Sequence, residues 1–498
     1  MSYHDAVLAL DQSTSATKAI LFDAHGVPLA ESHRPHESVY PRPGWVEQDP
    51  DELGRNTFAV LDEVAEAARK RSLRVGAIGV TNQRETAVVW NRKSGKAIHP
   101  AVGWQCVRGS DIVARWRAEG LADEVLAKTG LPLDPHFSAA KIAWVLENVP
   151  GARAAAGRGE LAFGTVDSWL IHLLTEGRVH ATDPSNASRT QLFNLATGDW
   201  DDELLVRFGI PRSMAPQVRL SDAEFGTTSL GGRLTEAIPL RGVLGDSHAA
   251  LFGLRCFEPG QAKATYGTGS SVMLNLGTAL PSGVGGLVAT SVAWGVGGRL
   301  SYVLEGNIHH SGDTLRWLVE DLGLFSSLEE WQALADATAS SKGVYLVPAF
   351  SGLGAPYWDD EARGALVGLV RGTTKAHVAR AALESLAYQV VDLLEAMRGV
   401  SGTELKLLAV DGGPTKNVGL MQLQADLGRV TVEVSAVSNA SIFGIACLAG
   451  LASGLWADFD ALKALGAGGR TYQPRMPEAE RLALTEGWVE AVGRTKSR

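Results

Sequence analysis

The sequence lacks the features of a disulfide scaffold, a membrane span or a nucleic-acid grip. Its 498 residues include three cysteines, Cys106, Cys256 and Cys447, far apart and with no CxxC pair. That supplies neither a zinc site nor a set of bridges, and reads as reduced thiols in a cytoplasmic protein. No uninterrupted apolar run approaches the roughly 18 residues of a spanning helix, and residues 1–10 carry no basic leader, so a signal peptide is not expected. Basic surplus is missing as well. The formal net charge is −9, with no long block of like charge, which argues against a nucleic-acid partner. A Walker A sequence and a GxGxxG turn are both absent, which disfavours a P-loop or dinucleotide fold.

What is present suits a globular chain of two to four domains at about 150 residues each, with 45% apolar residues to fill their cores. Val7–Leu10, the polar turn Asp11–Thr17 and Lys18–Asp23 predict a strand hairpin. A helix is expected over 51–70, with Asp49 as cap, Pro50 at its first position and Glu52 completing a capping-box-like pair. Strands follow at 75–80 and 86–90. The second half opens similarly: Ala262–Tyr266, the small-residue turn Gly267–Ser271, then Val272–Leu276. Two such hairpins opening halves of similar length suggest an internal duplication. Leu383, Leu386, Val390, Leu393 and Met397 step by three and four, predicting a helix near 376–398, followed by a strand at 405–410. Alternating strands and helices make the class α/β. The boundary falls near 253–260, dividing the chain into domains 1–253 and 254–498.

Three turns are rich in small and hydroxyl residues: Asp11–Thr17, Gly267–Ser271 and Asp411–Asn417. Small residues let backbone N–H groups approach phosphate oxygens, and an aspartate ending a first strand can hold Mg²⁺. Each turn alone is no more than a hairpin; their order and spacing carry the signal. In that order the chain resembles the FGGY carbohydrate kinases, and among them the glycerol kinases. The resemblance rests on Leu8-Ala9-Leu10-Asp11-Gln12, Pro43-Gly44-Trp45-Val46-Glu47, Thr81-Asn82-Gln83-Arg84-Glu85-Thr86, Phe163-Gly164-Thr165-Val166-Asp167, Asn186-Ala187-Ser188-Arg189-Thr190, Gly245-Asp246, Tyr266-Gly267-Thr268-Gly269, Ala355-Pro356-Tyr357-Trp358 and Asp411-Gly412-Gly413.

The resemblance implies two RNase H-like domains of the actin/Hsp70 ATPase type flanking a cleft, the first holding the alcohol and the second the nucleotide. It implies an ATP-dependent kinase for a small polyol or sugar, with Mg²⁺, acting by direct in-line transfer after the domains close. It also implies a homodimer or homotetramer. Asp246 would be the catalytic base, accepting the proton of the attacking hydroxyl; capping a helix that starts at Ser247 is the bland and compatible reading. Arg84 and Glu85 would grip acceptor hydroxyls, and Trp104 would wall the carbon chain or else pack in the core. Asp11 would sit at the metal, with Thr14, Ser15 and Lys18 near the terminal phosphates. Thr268, Gly312, Arg316, Gly413 and Asn417 would line the nucleotide. Lys18 and Arg316 replace the usual Arg and Gln, and either cation can face phosphate or solvent.

Three departures fall on the acceptor pocket. His136 replaces Tyr, Ser247 replaces the Gln after the catalytic Asp, and Ser271 replaces Phe. A pocket so enlarged suits a four- or five-carbon polyol or ketose, with Ser247, Ser271 and His136 or His309 meeting the extra hydroxyls. A true glycerol kinase with refilled space is the alternative, and a non-catalytic actin-like ATP-binding module a remote one, set aside because Arg84, Glu85 and Asp246 occur together. His248, His309 and His310 have no metal-ligand spacing and are expected to be satisfied or substrate-facing. Leu234-Thr235-Glu236-Ala237 lacks the Gly-Gly-x-Arg loop of kinases inhibited by fructose 1,6-bisphosphate, so that inhibition is not expected.

Overall fold

The computed structural model describes residues 4–281, 286–466 and 468–497. Its first large sheet holds β1 (Ala6–Gln12), β2 (Ala16–Asp23), β3 (Pro28–Pro35), β4 (Val75–Asn82), β5 (Glu224–Thr228) and β6 (Ile238–Gly245), in the order β5-β6-β4-β1-β2-β3. The expected first hairpin is there, with Asp11 opposite Lys18. β4 and β6 run parallel to β1 and to one another, so the ends of three strands reach the same edge. Alternation along β1 splits its side chains between two layers. Ala6, Leu8 and Leu10 pack with Val60, Leu61 and Val64 of α1 (Pro50–Lys70), while Val7 and Ala9 enter a separate core. Asp49 caps α1 by accepting from the Asp51 N–H at 2.9 Å.

After β6 the chain turns directly into α2 (Asp246–Gly253). The second sheet comprises β7 (Gln261–Tyr266), β8 (Ser270–Gly277), β9 (Ala289–Val296), β10 (Arg299–Ile308), β11 (Leu407–Gly412), β12 (Thr431–Val434) and β13 (Thr471–Tyr472), ordered β9-β10-β8-β7-β11-β12-β13. Matching β7 to β1 reproduces the first sheet strand for strand: an antiparallel hairpin partner and a third antiparallel strand on one side, two parallel strands on the other. The duplication suspected from two hairpins is therefore a duplication of topology. α3 (Lys375–Ser401) presents Leu383, Leu386, Val390, Leu393 and Met397 to the outer face of this sheet, as its period predicts.

One helix breaks the division by sequence. α4 (Ala440–Ser453) follows the second sheet's parallel strands yet lies across β1, β4 and β6 of the first. It crosses α2 so closely that the two backbones touch, and together they fill a core between the sheets that also takes Met273, Val303 and Ala409 from the second. Glycines make this crossing possible. A Cβ on Gly444 would stand 1.8 Å from the Ala249 carbonyl oxygen, and one on Gly253 would stand 2.1 Å from that of Ala440. Among the described residues, no helix is long and apolar enough to cross a membrane.

Gly444→Ala is expected to push α4 off α2 and destabilise the protein by about 1–3 kcal/mol, the usual cost of overpacking. Urea unfolding checks this; an unchanged midpoint would show that the helices slide apart freely.

Candidate active site

The edge where β1, β4, β6, β7 and β11 end faces a cleft between the sheets, the usual place for a ligand in an open parallel sheet. Asp246 enters it from the first turn of α2, its Oδ1 accepting the Ser247 N–H at 2.6 Å. Gly245, just before it, donates its N–H to Ser185 Oγ at 2.9 Å, which fixes the backbone at the strand-to-helix junction. The helix begins at Asp246 itself, with Gly245 in the cap position and no side-chain cap bond, so the capping reading is not met, while Asp246 lines the cleft. Burial raises its pKa, and the Arg84 guanidinium, with Nε at 3.3 Å from Oδ1, pulls the other way.

Residues 82–86 form a rigid shelf after β4. Gln83 donates to Gln12 Oε1 at 3.0 Å and Gln48 Oε1 at 2.8 Å, and Asn82 donates to Asn186 Oδ1 at 3.0 Å. Glu85 is held at a φ of 61°, with its carbonyl accepting from Ser138 Oγ at 3.0 Å. The shelf aims Arg84 and Glu85 into a buried ion chain. Arg84 donates to Glu305 through two parallel bonds of 2.7 and 2.8 Å, Arg189 lies 3.1 Å from Glu305, and Arg189 Nε donates to Glu85 at 2.6 Å. Asp246, Arg84, Glu305, Arg189 and Glu85 therefore alternate in sign across the cleft floor. Burial alone would raise both glutamates, but Arg189 and Arg84 outweigh it and hold Glu85 and Glu305 well below the usual carboxylate range.

The acceptor side of the cleft is a cavity of about 590 Å³. Thr14, Arg84, Glu85, Trp104, His136, Asp246, Ser247, Thr268 and Ser271, all singled out in the sequence, line it together. Trp104 is a cleft wall rather than a core residue, its Nε1–H donating to Thr14 Oγ1 at 3.0 Å. His136 approaches Glu85 at 3.8 Å. His309 lines the cavity, while His248 is buried between Arg84 and Ser291 Oγ; burial, then Arg84, keeps its ring neutral.

Beside it lies a second cavity of about 460 Å³, lined by Thr268, Gly312, Arg316, Gly413 and Asn417 with an apolar side of Leu315, Leu328, Trp331 and Leu386. A Cβ on Gly312 would meet the Gly267 carbonyl oxygen at 2.5 Å, so the two loops close on each other only through glycine. Donors on one side and an apolar slot on the other suit a nucleotide. Arg316 reaches Thr268 Oγ1 at 3.3 Å. Ser15 and Lys18 stand apart from both cavities. Ser15 offers its carbonyl to the His36 N–H, and Lys18, near enough to temper Asp11, is ion-paired with Glu31 at 3.0 Å.

Asp11 Oδ1 and Asp411 Oδ1 are buried carboxylate oxygens without a hydrogen-bond partner. Burial first, and then the charge of Asp246, pushes the Asp11 carboxyl up to about 7. A cation relieves the penalty at Asp11, and a single carboxylate rather than a full cage suits Mg²⁺, which keeps its waters and phosphate ligands. Sequence reasoning missed Lys263, Glu305 and Arg189 as site residues. Lys263 donates to Thr265 Oγ1 and Ser271 Oγ, each at 3.2 Å, from the sheet face that looks into the cleft. A lone charge inside an apolar strand, as in Ala262-Lys263-Ala264 or Leu304-Glu305-Gly306, was the available signal.

Family models for the FGGY carbohydrate kinases match this chain twice, the N-terminal domain over residues 6–253 and the C-terminal domain over 262–453. The chain is 48% identical over 491 residues to the glycerol kinase of Shewanella sp. (strain ANA-3), covering 99% of each. It is 47% identical over 490 residues to that of Carboxydothermus hydrogenoformans, covering 98% of each. The crystal structure of Plasmodium falciparum glycerol kinase with ADP superposes with a TM-score of 0.94 at 31% identity, over 99% of both chains. A xylulose kinase from Rhodospirillum rubrum shares the fold, with a TM-score of 0.87 at 24% identity over 98% of each chain.

The raised Asp11 pKa sets a sign. Between its ordinary value near 3.8 and about 7 the unfolded chain gives up this proton more readily than the folded one, so metal-free stability falls as pH rises across that window. Asp11→Asn should raise the metal-free Tm at pH 8, weaken Mg²⁺ binding at least tenfold, and flatten this part of the pH dependence. A variant less stable than the parent at pH 8 without metal would contradict the assignment.

Proposed function

The chain belongs to the FGGY family of carbohydrate kinases, and from that premise we propose that it phosphorylates a four- or five-carbon polyol or ketose with Asp246 as general base. It is an ATP-dependent kinase of small polyols or sugars that uses Mg²⁺. The observation that carries the longer acceptor is the cavity lining: among the described residues Trp104 and Ile308 are its only apolar side chains, and Ser247, Ser271, Asn307 and His309 all offer hydrogen bonds. Polar groups at such a wall stay unpaired against a short triol and are met by added hydroxyls.

In this reading Arg84 and Glu85 hold hydroxyls next to the reacting carbon, and their own partners Glu305 and Arg189 keep them from moving. Asp246 takes the proton as the hydroxyl oxygen attacks the γ-phosphorus and the bond to the ADP oxygen breaks. Its raised pKa brings it closer to working pH, where a carboxylate is a stronger base. Asp11 would hold Mg²⁺, which supplies charge neutralisation of the phosphates. Gly267, Thr268 and Gly312 form the loop pair around the nucleotide. The domain division 1–253 and 254–498, an assembly of two or four copies and a cytoplasmic setting belong to the same proposal, the last in keeping with three buried free thiols.

Asp246→Asn is expected to lower kcat by roughly 10²–10⁴-fold while ATP binding persists; activity above about a tenth of the parent would remove the base assignment. An ADP-release screen over glycerol, erythritol, threitol, the pentitols, ribulose and xylulose should give its highest kcat/KM on a four- or five-carbon compound. Ser271→Phe should move that preference toward glycerol. Glycerol as the best substrate of the parent enzyme would establish the shorter acceptor, the reading its 48% identity to glycerol kinases favours.

A further inference from the structure

At the mouth of the acceptor cavity, outside the ion chain, three side chains join in line. His310, just past β10, places Nδ1 2.7 Å from Asp313 Oδ2 and Nε2 2.7 Å from Ser351 Oγ. Ser351 and His310 both line the cavity with Asp246 and Arg84. The histidine is held firmly: its carbonyl accepts from Gln389 Nε2 at 3.2 Å, and its ring meets Phe350 edge-on at 5.1 Å. Asp313 is fixed in turn by the Ser311 N–H, which donates to Oδ1 at 3.0 Å. We propose that Ser351, set by His310 and Asp313, reads the far end of the acceptor by taking a hydrogen bond from a hydroxyl beyond the third carbon.

Polarity sets the direction of each bond in this array. A carboxylate only accepts, so Asp313 requires the proton on Nδ1 of His310. In the neutral ring Nε2 is then an acceptor, and the Ser351 O–H must point into it. The lone pairs of Ser351 are what remains for the cavity. Ser271 is set the opposite way. Lys263 Nζ donates to its oxygen, which leaves the Ser271 O–H free to donate. A cavity with one serine presenting lone pairs and another presenting a proton dictates the direction of hydroxyl hydrogen bonds along a chain of carbons. Glycerol, held by Arg84 and Glu85 beside Asp246, has no further hydroxyl to offer. The inference rests on the longer-acceptor reading and names the contact that registers the added carbons.

The test compares kcat and KM for glycerol and for the best longer acceptor in the parent, Ser351→Ala, Ser351→Thr and Asp313→Asn. Loss of one hydrogen bond should raise KM for the longer acceptor about tenfold relative to glycerol in Ser351→Ala, and Ser351→Thr should restore it. Asp313→Asn no longer demands a proton on Nδ1, so it should reproduce part of the loss with Ser351 still in place. Equal losses on both acceptors would reduce the array to a brace for its loop and overturn the proposal, as would unchanged KM values. A parent enzyme that prefers glycerol would overturn the longer-acceptor reading itself, and that outcome is read from the parent alone. Covalent labelling of Ser351 by a fluorophosphonate would also overturn the proposal, by showing a nucleophile where a passive acceptor is claimed.

Discussion

Five charges alternating across the cleft floor are the constraint around which the rest is organised. Asp246, Arg84, Glu305, Arg189 and Glu85 come from the first turn of α2, the shelf after β4, the middle of β10 and the loop after Asn186. Four of them are withdrawn from water, and desolvation of that order is tolerated only because each interior charge has an opposite on both sides. Truncating Arg189 leaves the buried Glu85 without its ion-pair partner in the chain, a loss that typically costs 3–5 kcal/mol. The chain also fixes geometry. Its two ends, the proposed base and the carboxylate proposed to hold hydroxyls, are joined through a continuous run of ion pairs. Such preorganisation is the main resource of a phosphoryl-transfer site, where positioning and electrostatics do most of the work.

The ion chain ties the halves together, since Glu305 belongs to the second sheet and its two arginines to the first half of the sequence. The crossing of α2 and α4 ties them a second time, through backbone contact that only Gly253 and Gly444 permit. The proposed base, Asp246, stands on the first turn of one of these helices.

What was legible in the sequence was local. The Asp11 hairpin, the capped helix after Asp49, the stepped leucines of α3 and the turn at Gly267 all announce themselves within a dozen residues, because caps, turns and periods are short-range physics. Of the proposed nucleotide residues, Thr268, Gly312, Arg316, Gly413 and Asn417 fall together because they sit on turns and short helical segments where such elements end. Partnerships across the fold were not legible. Arg84 and Glu305 are 221 positions apart, Glu85 and Arg189 are 104, and nothing near any of them names the other. Lys18 illustrates the reverse case: its motif points to phosphate, but the neighbouring strand supplies Glu31, and that pairing is visible only once register is known. Ser351 and His310 met for the same reason, through loop packing that no spacing rule encodes.

The return of α4 to the first sheet bears on how the protein is made. Val7, Ala9, Ile20 and Leu244 are covered by Ile442, Ile445 and Leu448, residues synthesised some 200 positions after the sheet they complete. A nascent chain that has just emerged through α2 therefore carries a sheet with one apolar face dressed by α1 and the other met by α2 alone. Loop closure over that distance is slow, and an uncovered sheet face is the kind of surface chaperones bind. The two halves, so alike in topology, are unequal in time: the second matures with what it already has, and the first waits for its lid from the ribosome.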